Sequence, residues 1–249
     1  MSCKSLPPED TALPLQALIL AAGRGQRCCL QANTSKALLE IGARTLIEHQ
    51  VASLRKIGVE QIGIVTGHAA EQVRAIAGAG CEYIYNALYA ETNSLYSLWS
   101  ARHWLKGSFM LLNCDVLADH RIYELVGQAP GSALAYDSAS GNEDEHMKVS
   151  LTGGRLAHIG KDRNGHPIHG ENVGMLKFSG AAGGCLMHEA DRLVLEGVTN
   201  TWAAAALNRL AAQVAIQCID VTGLPWTEID DQSDLKNARE RILPRLNLA

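Results

Sequence analysis

Phenylalanine is nearly missing from this chain: there are two in 249 residues, within an aromatic content of 5%. Apolar residues make up 47%, so the core has to be built from Leu, Ile, Val and Ala. An excess of positive charge is missing too. At a net charge of −4 the chain lacks the basic face that binding a phosphate backbone needs, which argues against nucleic acid as a partner. No run is long and apolar enough to span a membrane. There is no C-x-x-C pair, and the seven cysteines (Cys3, Cys28, Cys29, Cys81, Cys114, Cys185, Cys218) are odd in number and scattered, a pattern of reduced thiols in a cytoplasm and not of zinc ligands. Residues 1–14, MSCKSLPPEDTALP, hold no apolar stretch of signal-peptide length and read as a flexible lead-in to a single domain over 15–249. Internal repeats and low-complexity segments are absent as well. A soluble, cytoplasmic protein is expected.

Two familiar phosphate-binding loops are also missing. A dinucleotide loop needs G-x-G-x-x-G, and Cys28 stands where the third glycine belongs; this removes an NAD-dependent oxidoreductase. A Walker loop needs G-x-x-x-x-G-K-[ST], and Lys36 is far from Gly25 and followed by Ala37. What is present instead is ALILAAGRGQRCCLQANTSKALL over 17–39, an apolar strand running into a glycine turn with basic residues. Gly23 and Gly25 allow close approach of a phosphate to the main chain. Arg24, Arg27 and Lys36 supply the opposing charge, arginine as a fork and lysine as a point charge. The stretch Leu20, Ala21, Ala22, Gly23, Arg24 and Gly25 reads as a triphosphate cradle, against the alternative of an ordinary tight turn. Cys28 and Cys29 follow in the same loop, either as oxidisable thiols or as small residues packing beneath it.

Apolar runs alternate with helical patterns through the first half. Strands are expected over 17–22, 61–66, 82–85 and 108–113, with helices over 46–57, 69–76 and 94–105. Such strands imply an α/β, Rossmann-like, mostly parallel sheet covered by helices on both faces. Ligands bind outside the carboxyl ends of its strands, where Gly23, His68, Asn86 and Asp115 fall. A strand over 132–136 closes the nucleotide half, about 15–136. The acceptor half, about 137–249, carries a polar loop at 138–145 and a smaller β-rich insert with strands over 146–151, 155–159 and 172–178, the first two joined by the turn at Thr152–Gly154. Helices over 181–196, 201–210 and 232–243 and a strand over 215–220 complete the chain.

An acidic protein that binds triphosphate has to recruit a metal ion or concentrate positive charge. Asp115 ends the strand in LLNCDV, and Trp226-Thr227-Glu228-Ile229-Asp230-Asp231 precedes the last helix. Alternation puts Glu228 and Asp230 on one side of an extended segment. Asp115 and Asp230, both at strand exits, can hold one Mg²⁺, which takes one or two carboxylates and completes its shell with water and phosphate. Glu228 either joins them or buttresses a lysine. Asp231 and Asp234 are assigned to helix capping.

Five separated motifs occur in order: LAAGRG, Lys36, Asn93-x-Leu95-Tyr96-Ser97-Leu98, NCD and W-x-E-I-D-D. Together they resemble the nucleotidyltransferase superfamily of nucleoside-diphospho-sugar pyrophosphorylase type, in particular the phosphocholine, phosphonate and inositol-phosphate cytidylyltransferases. The family signature is L-A-A-G-x-G-[ST]-R…P-K; here Gln26 replaces Ser or Thr, Ser35 replaces proline, and the loop is about a residue short. The resemblance implies Mg²⁺ at Asp115 and Asp230, phosphates held by Arg27 and Lys36, and base and ribose surrounded by the glycine loop with Asn86 and Ser97. It also implies a lysine at Lys161 gripping the acceptor phosphate. The Glu-Ile-Asp form favours CTP and an acceptor that is not a hexose.

The expected reaction is transfer of CMP from CTP to a small phosphorylated or phosphonate acceptor, with loss of pyrophosphate. The attacking oxygen is already an anion, so no Ser/His/Asp arrangement is required and positioning with charge neutralisation carries the catalysis. Lys148 and Lys161 are either acceptor-binding or strand-edge lysines, and Glu171 either meets a cationic amine or lies at the surface. His158, His166 and His169 have no Cys or Asp at ligand spacing and read as plain surface. The alternatives are a sugar-1-phosphate nucleotidyltransferase using another NTP and a non-catalytic nucleotide sensor. A homo-oligomer is compatible with the sequence.

Overall fold

Alternate residues of the first strand bury on opposite faces, which sets the layout of the molecule. In the computed structural model, which describes residues 13–25, 34–140, 146–161 and 165–247, β1 (Gln16–Ala21) sends Leu18 and Leu20 into one apolar core and Ala17, Ile19 and Ala21 into another. A strand with two buried faces needs helices on both. The hairpin β2 (Glu40–Ile41) and β3 (Arg44–Thr45) leads to α1 (Leu46–Lys56). Thr45 and Glu48 form a reciprocal capping box at its start: the Glu48 carboxylate accepts from the Thr45 amide at 2.7 Å. β4 (Gln61–Thr66), α2 (Ala70–Ala77), β5 (Glu82–Tyr85), α3 (Ser94–Ser100) and β6 (Phe109–Asn113) follow. β7 (Val116–Ala118), α4 (His120–Gln128) and β8 (Ala133–Asp137) end the first half.

The second half comprises β9 (Lys148–Thr152), β10 (Arg155–Gly160), β11 (Gly170–Phe178), α5 (Gly180–Leu195), α6 (Ala204–Ala211), β12 (Gln217–Asp220), β13 (Trp226–Glu228) and α7 (Gln232–Asn237). Among the described residues nine strands make one sheet in the order β5-β4-β1-β6-β11-β8-β12-β10-β9. The strands of the first half, β5-β4-β1-β6, pair in parallel, and β11 inserts antiparallel between β6 and β8. The β-rich segment is therefore continuous with the main sheet, since β9 and β10 extend its far edge. One core packs under α3, α5 and α6, the other under α1, α2 and α4. A third, smaller core (Leu39, Ile41, Leu46, Leu117, Ile229, Leu235) joins the chain's ends to its middle.

Several expected elements differ in extent. The helix expected over 94–105 stops at Ser100, whose hydroxyl donates to the Tyr96 carbonyl at 2.8 Å and competes with the helical ladder. The helix expected over 201–210 begins at Ala204, because residues 199–203 bond to the start of α3: Asn93 N–H donates to Thr199 O, Leu95 N–H to Thr201 O, and Ala203 N–H to Ser94 Oγ. The closing helix narrows to α7, followed by a π-helical turn at Ala238–Ile242 and a 3-10 turn at Leu243–Arg245. Cys81, Cys114 and Cys218 are free. No helix among the described residues is long and apolar enough to cross a membrane.

Gly67 links the sheet to the crevice at its carboxyl end. A Cβ there would lie 2.5 Å from Tyr89 Cβ and 2.8 Å from the Ala22 carbonyl. Gly67→Val is expected to destabilise by about 1–3 kcal/mol through overpacking. Gly184→Ala, a helical glycine with open space around it, is expected to be neutral or stabilising. Thermal unfolding of both variants checks the pair.

Candidate active site

β1 ends where the sheet opens, and its last residues turn outward. Leu20, Ala22, Gly23, Arg24 and Gly25 line a cavity of about 750 Å³. Gly25 has a φ of +57°, in the left-handed region that favours glycine. Ala21 does not line the cavity, since alternation turns it to the opposite core. The Arg24 guanidinium lies over the Tyr89 ring at 5.7 Å. Arg27, with Gln26, Cys28 and Cys29, lies outside the described residues.

Lys36 opens a short 3-10 turn, Lys36–Leu38. Ser35, at the position where the signature has proline, caps that turn: its buried hydroxyl accepts from the Ala37 amide at 3.3 Å. Lys36 Nζ reaches Asp115 Oδ2 at 3.2 Å and Asp230 Oδ1 at 2.5 Å. Burial alone would lower the lysine's pKa, but the charges of Asp115 and Asp230 outweigh it and raise the pKa above the ordinary range.

The two aspartates are 115 residues apart in sequence and are joined by main chain. β7 leaves Asp115 and pairs antiparallel with β13, matching Val116 with Glu228. Ile229 N–H then donates to Asp115 O at 2.9 Å. Asp231 caps α7 in a capping box with Asp234, as expected for that pair, and Asp234 Oδ2 also accepts from the Asp230 amide at 2.8 Å. Gln50, on α1, braces the other side. Its buried amide donates to Asn113 O and Val116 O at 2.8 and 2.9 Å, on either side of the turn that bears Asp115. Only its place on the buried face of an amphipathic helix marked Gln50 in sequence.

One carboxylate oxygen each from Asp115, Glu228 and Asp230 falls within 4.8 Å of the others. Burial, then the charges of Asp115 and Asp230, push the Glu228 carboxyl up to about 8. Asp115 Oδ1 is buried and has no hydrogen-bond partner. An acceptor oxygen left bare in an anionic cluster fits a divalent cation with hard oxygen ligands.

The remaining expected residues divide. Ser97 lines the cavity. Asn86 does not; it is buried beneath the rim, where its amide donates to Ser97 Oγ at 3.2 Å and to Thr92 Oγ1 at 3.3 Å while its oxygen accepts from Leu88 N–H. Lys161 lines the cavity, with its ammonium 5.3 Å from the Trp202 ring. Lys148 and Glu171 face each other across β9 and β11, both buried, and form an ion pair that His146 joins through Glu171 at 3.0 Å. Burial would raise the Glu171 pKa, and His146 and Lys148 outweigh it to hold the carboxyl below its usual range. Their chain neighbours Met147 and Asn172 line the cavity instead, one residue out of register. Glu171 is thus committed to Lys148 and is not a surface residue. Tyr89 and Trp202 are cavity aromatics with no sequence signal; each sits in an irregular segment that periodicity does not address. His158 and His166 stack with ring centroids 4.2 Å apart, away from the cavity lining.

The raised carboxyl at Glu228 makes stability depend on pH. The native state holds that proton more tightly than the unfolded chain between pH 4.5 and about 8, so raising pH across this window removes stability. In chelator, Glu228→Gln is expected to flatten the fall. Urea midpoints from pH 5 to 8.5 check it, and an unchanged slope contradicts it.

Residues 17–172 match the MobA-like NTP transferase domain. The chain is 28% identical, over 94% of its length, to CMP-5'-(3-aminopropyl)phosphonate synthase of Streptomyces rubellomurinus, covering 40% of that protein. It is 26% identical, over 91% of its length, to the bifunctional IPC transferase and DIPP synthase of Aquifex aeolicus, covering 51% of it. The chain thus spans about half or less of these curated relatives. Among solved structures, the CTP:phosphocholine cytidylyltransferase of Streptococcus pneumoniae superposes with a TM-score of 0.76 at 21% identity, over 90% of this chain and 97% of that one. With the match extending over more than half of its length, the chain belongs to the MobA-like NTP transferase domain family.

Proposed function

We propose that this chain is a cytidylyltransferase that transfers CMP from CTP to a small acceptor bearing a phosphate or phosphonate, with release of pyrophosphate. One observation carries the reading: a glycine turn, Lys36, Asp115 and the distant pair Glu228 and Asp230 meet in one cavity. Its size suits a nucleotide. The names of the relatives, which concern phosphonate and phosphocholine acceptors and CTP, favour cytidine as the base and a non-hexose acceptor.

An acceptor oxygen attacks the α-phosphorus, the α–β bridging bond breaks, and its electron pair leaves with pyrophosphate. The attacking oxygen is anionic at neutral pH, so no side chain has to take a proton. The difficulty is repulsion between two polyanions. Arg24, Lys36 and Lys161 all line the cavity. Lys36 is positioned to meet the phosphates, and Lys161, whose ammonium lies over the Trp202 ring, to hold the acceptor's anionic group. Asp115, Asp230 and Glu228 would hold Mg²⁺, which supplies charge neutralisation at the phosphates. A nucleotide sensor has no use for such a carboxylate cluster, which favours the enzyme reading.

Pyrophosphate release is expected with CTP and Mg²⁺ plus a phosphorylated or phosphonate amine or polyol, and not with UTP, GTP or dTTP plus sugar 1-phosphates. The reverse pattern overturns the assignment. Asp115→Asn and Asp230→Asn are expected to lower turnover by roughly 10²–10³-fold or more, the usual effect of removing one electrostatic stabiliser. Steady-state rates with folded variants check this.

A further inference from the structure

We propose that Lys36 is the resident counter-ion of the carboxylate cluster, and that a divalent cation entering the cluster displaces its ammonium toward the phosphates of the nucleotide. The inference rests on the metal-assisted reading above and adds a coupling to it. Lysine and ion compete in the empty enzyme and cooperate once a triphosphate is present.

The competition follows from space and charge. Lys36 Nζ lies 3.2 Å from Asp115 Oδ2 and 2.5 Å from Asp230 Oδ1, and these residues supply two of the three carboxylates whose oxygens gather within 4.8 Å. The side chains of Lys36, Asp115 and Asp230 are 13%, 19% and 13% exposed, so water screens the pair only weakly. A magnesium-sized ion binds carboxylate oxygen at about 2.0–2.1 Å, which brings it against the ammonium already there. Two cations that close repel strongly in a half-buried site. Meanwhile Asp115 Oδ1, buried and unpartnered, is a ligand atom the lysine does not satisfy.

The cooperation follows from where the ammonium can go. Lys36 carries its charge on a flexible four-carbon stem, and the glycine turn with Arg24 lines the same cavity. A triphosphate on that turn offers Lys36 new partners and leaves the carboxylates to the ion. By reciprocity the ion then raises nucleotide affinity by the same factor. The lysine also offsets part of the carboxylates' buried charge when no ion is bound.

The test uses Mn²⁺ as probe, with free ion read by electron paramagnetic resonance, and needs no turnover. Wild type, Lys36→Met and the double variant Asp115→Asn/Asp230→Asn are titrated with and without CTP, in the absence of acceptor. Without CTP, Lys36→Met is expected to bind Mn²⁺ about tenfold or more tightly than wild type, the scale of losing one competing half-buried ion pair. Its melting temperature should fall in chelator and rise more than that of wild type on adding Mn²⁺. With CTP the difference should shrink or reverse. If the Met variant does not fold, Lys36→Gln makes the same comparison. Equal or weaker Mn²⁺ binding by the lysine variant, with both it and wild type above the double variant, overturns the counter-ion role and leaves the metal reading standing. Binding by all three at the level of the double variant overturns both.

Discussion

Three carboxylates cannot crowd together in a half-buried site unless a positive charge is there to meet them. Asp115, Glu228 and Asp230 are brought within reach of one another by the β7–β13 ladder and the bond from Ile229 to the Asp115 carbonyl. The cost of that meeting shows in Glu228, whose carboxyl holds its proton far above the ordinary range. It shows also in Lys36, held between the two aspartates. Around this cluster the sheet supplies the glycine turn that lines the cavity, and the third core packs Leu39, Ile41 and Leu46 with Leu117 and the segment 229–242. Lys36 supplies positive charge that offsets the crowding.

The rigidity of the cluster comes from neighbours that carry no chemistry. Gln50 braces the turn after β6 through two carbonyls, and Asp234 holds the amide of Asp230 while completing the cap of α7. Ser35 caps the turn that presents Lys36. Asn86 fixes the segment before α3, so that Ser97 forms part of the rim. Each replaces backbone freedom with a hydrogen bond, which holds the cavity's side chains in place.

Much of this was legible in the sequence. The strands at 61–66 and 82–85 coincide with β4 and β5, and β4, buried from Ile62 to Thr66, reads as an almost uninterrupted apolar run. Asp115 and Asp230 stood out as acids at strand exits, and Asp231 and Asp234 as caps. β7 and β13 were not legible: three residues show no alternation, and their pairing spans more than a hundred positions. The roles of Lys148 and Glu171 were hidden for a related reason. Both are charged residues beside the cavity-lining positions, and only the register of β9 against β11 turns them toward each other. Tyr89 and Trp202 line the cavity from irregular segments, where no period marks the inward face.

The family, the fold and the cavity all lead to one central claim, that separated acids assemble a cation site facing a triphosphate. The most direct measurement is a crystal structure of the chain with CTP and Mn²⁺, with the ion located by its anomalous scattering. The account predicts an anomalous peak bonded to oxygens of Asp115 and Asp230, with the nucleotide phosphates on the glycine turn beside it. A peak elsewhere, or a nucleotide bound outside this cavity, would contradict it.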